Sequence, residues 1–192
     1  MKKRVIYFDL ETTGLDSTTD KIIEIAAIDN NGNEYDRLIN PNCIVSDKII
    51  QLTGINNKML KYRSNMEQLH SNINTWFDFG NKNVYLVAHN GIRFDMKFLM
   101  NHFYINCKII DTIDLYKKLL PDYKYYSLKS LCEYFGMEYK NAHRAMNDVV
   151  MLRDIFENAV ILYKSIYKKK EELNSNLDDE LVEELYKYIY AT

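Results

Sequence analysis

Residues 4–10, RVIYFDL, most constrain the fold. Apolar, β-branched and aromatic side chains follow one another there, so the segment reads as a central strand. It ends in Asp9-x-Glu11. Strand side chains alternate, so both carboxylates point to the same face. Two carboxylates side by side repel each other and become tolerable when they hold a divalent cation. The pair alone says little. With 15 Asp and 12 Glu in 192 residues, chance supplies about one Asp-x-Glu. A second occurs at Asp178-x-Glu180, in a charged tail. The context of the first is more informative. It runs from an apolar strand into Thr12-Thr13-Gly14-Leu15, where Gly14 allows a tight turn beside a ligand.

The rest of the chain supplies partners for that strand. Residues 21–29 read as a second strand, Asn30–Asn33 as a turn and 34–39 as a third strand, a meander at hairpin spacing. Residues 65–79 carry Met66, Leu69, Ile73, Trp76 and Phe77 on a helical stripe. Residues 83–88 read as a buried strand, 93–104 as a helix and 108–110 as a short strand. Helical patterns follow at 112–119, at 127–135 behind a Ser127 cap, and from about 145 to 168. Strands followed by alternating helices and strands imply an α/β domain with a mixed sheet. At 177–190, Leu177, Leu181, Leu185 and Ile189 recur every fourth residue. That helix either docks on its own domain or binds a partner.

Composition excludes several classes. Formal net charge is -2, so a polyanion must be bound locally or with metal assistance. Apolar residues at 47% and charged residues at 27% rule out a disordered chain. No apolar run is long enough for a membrane span, and Asp9 and Glu11 follow the basic N-terminus too soon for a signal peptide. Cys43, Cys107 and Cys132 form neither a disulfide framework nor a zinc site, which points to a cytosol-like compartment.

Two further features carry chemistry. Asp95, in VAHNGIRFD, follows a buried strand and a glycine-containing turn and starts a helix. That is the C-terminal edge of the sheet, where α/β folds place their sites. His143 precedes Asp148 by five residues. Five residues turn a helix by about 500°, leaving the two side chains about 140° apart. His143 therefore belongs on the loop before the helix, and Asp148 on the helix. A histidine poised above a fixed carboxylate suits a general base.

In order, DLETTGL at 9–15, AHNGIRFD at 88–95 and HRAMND at 143–148 resemble the three motifs of DnaQ-like 3′→5′ exonucleases. The branch is the one with four acidic residues and a histidine. The sister branch has a tyrosine four residues before its last Asp, where this chain has Arg144. The likeness covers roughly residues 4–155. It implies an RNase H-like α/β fold with flanking helices and a five-stranded mixed sheet whose second strand is antiparallel. With the helical patterns around it, the expected organisation is an exonuclease domain over 1–168 and a C-terminal helical tail over 169–192. The resemblance also implies that Asp9, Glu11, Asp95 and Asp148 hold two Mg²⁺ or Mn²⁺ ions, with Asp9 bridging, and that His143 is the base. By the same resemblance, Thr12, Thr13 and Gly14 meet the terminal sugar, and Leu15, Leu52 and Phe94 cradle the last base. Asn90 orients the loop or touches substrate, and His89 is structural. The expected substrate is a single-stranded 3′ end. DNA is favoured over RNA, because the motifs look most like the proofreading and repair group. Arg144 contacts either phosphate or a neighbouring acid. A polymerase or repair protein could bind the C-terminal helix.

Overall fold

The computed structural model describes residues 3–139 and 144–172, with side chains to 166. His143 and the 177–190 helix of the sequence reading lie outside the described residues.

The run that opens the chain forms β1 (Arg4–Thr12). A hairpin meander adds β2 (Ile22–Asp29) and β3 (Glu34–Leu38). Two short helices, α1 (Asp47–Thr53) and α2 (Asn57–Leu60), lead to α3 (Met66–Phe77). Then come β4 (Val84–Ala88), α4 (Asp95–Met100), β5 (Lys108–Asp111), α5 (Thr112–Leu119), α6 (Leu128–Tyr134) and the long α7 (Ala145–Glu172). The sheet order is β3-β2-β1-β4-β5. β1 pairs antiparallel with β2 and parallel with β4, and β4 runs parallel to β5. The expected mixed sheet with an antiparallel second strand is therefore present.

Each face of the sheet has its own core. Val5, Tyr7, Ala26, Ile28, Tyr85 and Val87 pack under α5, α6 and α7. Ile6, Phe8, Leu10, Ile25, Ala27 and Leu86 pack under α3 and α4. β1 and β2 are covered on both sides, which explains why they read as apolar runs rather than as an alternation. Because Tyr7 faces α7, the period of two sends Asp9 and Glu11 to that same face.

Two expectations change. The helix expected over 93–104 is only Asp95–Met100. Asn90 takes a left-handed φ of 62°, and residues 90–94 are used up in the turn that aims Asp95. The sequence reading also assigned no helix before residue 65. Yet Ser46 caps α1 by accepting from the Ile49 N–H, and Gly54 ends it with φ 72°. The helix is seven residues long, too short for a helical period to stand out. Leu52 consequently sits on α1.

Candidate active site

Three carboxylates from two distant parts of the chain meet at the C-terminal end of β1. Asp9 and Glu11 come from the strand, and Asp148 from the first turn of α7. One carboxylate oxygen from each lies within 4.8 Å of those of the other two. Asp9 and Glu11 are partly open and Asp148 is buried. Asp95, at the start of α4, is 2% exposed. Its Oδ1 accepts the Leu10 N–H at 3.1 Å, which ties α4 to the strand between the two acidic residues. Asp95 stands beside the trio rather than within it.

The electrostatics show how crowded this end is. Burial, then Asp95, Asp148, Glu11 and Glu24, hold the Asp9 carboxyl well above its usual range. Burial and the charges of Asp148, Glu24 and Asp95 push Glu11 up to about 8, with Arg144 acting in the opposite direction. Burial raises Asp95 to about 7, against hydrogen bonds from backbone N–H groups. An all-oxygen anionic donor set of this kind fits a hard divalent cation, whose charge would offset the repulsion.

Glu24 was not singled out in the sequence. It lies directly opposite Glu11 in the β1–β2 register and is 1% exposed. Arg144 Nη2 donates to Glu24 Oε1 at 2.8 Å, and the Ala145 N–H donates to Oε2 at 2.9 Å. Glu24 thus anchors the first turn of α7, and with it Asp148. Of the two roles open to Arg144, the ion pair is the one formed. The signal available in the sequence was a charged residue inside the otherwise apolar IIEIAAI.

Asp111 ends β5 and caps α5, its side chain accepting from the Ile113 N–H. It is 3% exposed and accepts N–H bonds from Asn90 (3.1 Å), Ile92 (3.1 Å) and Ile113 (3.0 Å). It therefore fixes the turn that delivers Asp95. Gly91 rests on Ala88, where an added Cβ would overlap the Ala88 methyl. His89 Nδ1 lies 2.9 Å from Thr112 Oγ1. Burial pulls its imidazole down to about 4, against the pull of Asp111. A neutral, hydrogen-bonded ring suits the structural role expected of it.

The loop after β1 is closed by its own side chains. Thr12 Oγ1 donates to the Gly14 carbonyl at 2.5 Å, and Thr13 Oγ1 donates to Asp20 Oδ1 at 2.9 Å. Asp20 Oδ2 accepts from the Asp16 N–H at 3.0 Å. An added Cβ on Gly14 would overlap the Asp20 carboxylate. The need for glycine there comes from Asp20, a reason additional to the tight turn read from the sequence. Leu15 is 86% exposed and Leu52 49% exposed, both available to an apolar ligand surface. Phe94 is half-buried, its ring 5.1 Å from that of Phe98.

Known proteins resemble this chain. The family model RNase_T, described as exonuclease, matches residues 6–156. A PolC-type DNA polymerase III of Bacillus subtilis is 33% identical over 192 residues, covering 90% of this chain and 12% of the polymerase. The 3′-5′ exonuclease DinG of the same organism is 32% identical over 166 residues, covering 81% of this chain and 17% of DinG. The chain thus spans less than a fifth of either relative. Among solved structures, E. coli exonuclease I in complex with a dT13 oligonucleotide superposes with a TM-score of 0.72 at 19% identity, over 88% of this chain and 43% of that one. That likeness is one of fold, the DnaQ-like form of the RNase H fold. The family model spans residues 6–156, most of the chain: this chain is a member of the RNase_T exonuclease family.

Proposed function

We propose that this domain is a divalent-metal-dependent 3′→5′ exonuclease that releases nucleoside 5′-monophosphates from single-stranded DNA ends, in proofreading or repair. The observation that carries the reading is the convergence of Asp9, Glu11 and Asp148, one oxygen from each within 4.8 Å of the others, with Asp95 buried beside them. These four residues would hold two Mg²⁺ or Mn²⁺ ions. When bound, the ions supply positive charge to the reacting phosphate and acidify the attacking water. His143 accepts a proton from that water at a ring nitrogen. The water oxygen forms the new bond to phosphorus, and the 3′ oxygen of the preceding nucleotide leaves. Asp95, locked to the Leu10 N–H, keeps the wall of the site in place. Leu15, Leu52 and Phe94 offer apolar contact that tolerates any base, and Asn90, held through its N–H by Asp111, shapes the turn beside them.

The relatives support a DNA setting. One is a DNA polymerase, and exonuclease I was solved with an oligonucleotide. A polymerase or repair protein is the proposed partner, bound through residues 169–192. Pull-down with and without those residues tests it. No helix among the described residues is long and apolar enough to cross a membrane. Together with three cysteines in no disulfide, this supports a cytoplasmic location.

The test is degradation of 5′-labelled single-stranded DNA and RNA of one sequence with Mg²⁺, Mn²⁺ or EDTA, beside His143→Ala. A metal-dependent ladder shortening from the 3′ end, lost in the variant, is the expected result. Faster RNA cleavage would move the assignment to RNA trimming. No cleavage of either, with metal bound, would make the domain a nucleic-acid-binding adaptor.

A further inference from the structure

A second feature adjoins the carboxylates, and the reaction as described does not use it. Arg37 on β3 and Tyr62, Arg63 and Ser64 on the segment after α2 line a cleft of about 540 Å³, together with Asp36 and Arg144. The chain has only six arginines, so half of them meet in one cleft of a protein whose net charge is -2. Lys61 lies outside the lining but beside it, its Nζ 5.1 Å from the Tyr62 ring centroid. Against these stand Asp36 and Glu24, and Glu24 is already paired with Arg144. The balance in the cleft is positive.

Its chemistry is specific in kind. Tyr62 is 86% exposed, an aromatic face presented to solvent among cations. Arg63 uses Nε on the Met59 carbonyl at 3.3 Å, and Arg37 uses Nη1 on the Asp36 carbonyl at 2.6 Å. A guanidinium has five N–H donors, so one carbonyl contact does not exhaust it. Arginines that follow a backbone and an aromatic ring that stacks a base are how proteins hold single-stranded nucleic acid without reading its sequence.

The position is equally specific. Arg144 lines the cleft and also bonds Glu24, which lies across the strand pair from Glu11. The cleft and the carboxylate cluster are therefore the two sides of one ion pair. We propose that this cleft is an upstream subsite for the substrate strand, in which Arg37 and Arg63 contact backbone phosphates and Tyr62 stacks a base while the 3′-terminal nucleotide lies at Asp9, Glu11 and Asp148. This assignment rests on the exonuclease reading. It explains how an acidic domain retains a polyanion between successive cleavages.

Comparing two substrates separates the subsite from the chemistry. The p-nitrophenyl ester of thymidine 5′-monophosphate fills only the terminal position, whereas labelled oligo(dT) also reaches the cleft. For Arg37→Ala/Arg63→Ala, KM for oligo(dT) should rise about tenfold or more, and the slope of log KM against log salt should fall by about 0.7 for each phosphate no longer neutralised. Tyr62→Ala should raise the same KM about tenfold without changing the salt slope. Hydrolysis of the ester should stay within about twofold of wild type in both. Anisotropy titration of labelled oligo(dT) in Ca²⁺ should show the same weakening without turnover. An unchanged oligo(dT) KM, salt slope and anisotropy in folded variants would overturn the subsite and leave the cleft for another occupant. If the wild type hydrolysed neither substrate, the exonuclease reading would fall, and the titration would still decide whether the cleft holds the strand.

Discussion

Removing Arg144 should damage the fold far more than neutralising the acid it pairs with. Glu24 is 1% exposed, whereas the Arg144 side chain is 42% exposed. Arg144→Ala therefore leaves a buried carboxylate uncompensated beside Glu11. Breaking a buried pair by deleting one partner costs about 3–5 kcal/mol, and the partial exposure of Arg144 argues for the lower end, about 3 kcal/mol. In a domain of this size each kcal/mol moves Tm by about 2–4 °C, so Tm should fall by about 6–12 °C. Glu24→Gln is a different perturbation. Its amide oxygen still accepts the Ala145 N–H, and it withdraws one negative charge from the crowded end of the sheet. Its cost should stay below about 1 kcal/mol. The double variant should regain most of what Arg144→Ala loses, an interaction energy of about 2 kcal/mol in a double-mutant cycle. The assay is thermal and urea unfolding of all four proteins in EDTA. Equal damage from the two single changes, or strict additivity in the double, would refute the idea that Arg144 compensates a buried anion.

Three further outcomes follow from the same geometry. Glu11 is raised from its ordinary 4.5 to about 8 and Asp95 from 3.8 to about 7. The metal-free folded state thus binds more protons than the unfolded chain between about pH 4 and 8, and its stability should fall as pH rises through that window, by at most about 1.4 kcal/mol per pH unit for each group. Melting curves in EDTA across that range check it, and a rising Tm would contradict the crowding. Mg²⁺ or Mn²⁺ at about a hundred times its Kd should add about 2.7 kcal/mol at neutral pH, seen as a Tm gain of about 5–11 °C. Asp148→Asn should abolish that gain while its far-UV circular dichroism stays that of the wild type. Gly91→Ala forces a methyl into Ala88 and should cost about 1–3 kcal/mol. It should also lower exonuclease activity by shifting the turn before Asp95, whereas Gly32→Ala, with open space around its Cβ position, should lose stability through its positive φ alone and keep activity.

What could be read from the sequence divides along one physical line. β1 and β2 were legible because strands covered on both faces must be apolar throughout. Asp9, Glu11, Asp95 and Asp148 were legible as candidates because each ends such a strand or starts a helix within a motif that resembles a known family. Glu24 was not, although it holds both Arg144 and the first N–H of α7. Its role needs two facts that no local pattern contains: the β1–β2 register that sets it against Glu11, and the start of a helix 121 residues further on whose first N–H it accepts. Asp111 is similar, since its three N–H donors come from the far side of a parallel crossover as well as from its own helix. Gly14 was legible as a turn glycine but not in its second reason, because Asp20 enters its space only once the loop has closed. The groups proposed to bind cations thus announce themselves by their chemistry. The groups that hold them in position are ordinary residues in particular places, and strand register is what selects them. The Arg144 and Glu24 variants test this division, because they perturb a holding pair and leave every proposed ligand in place.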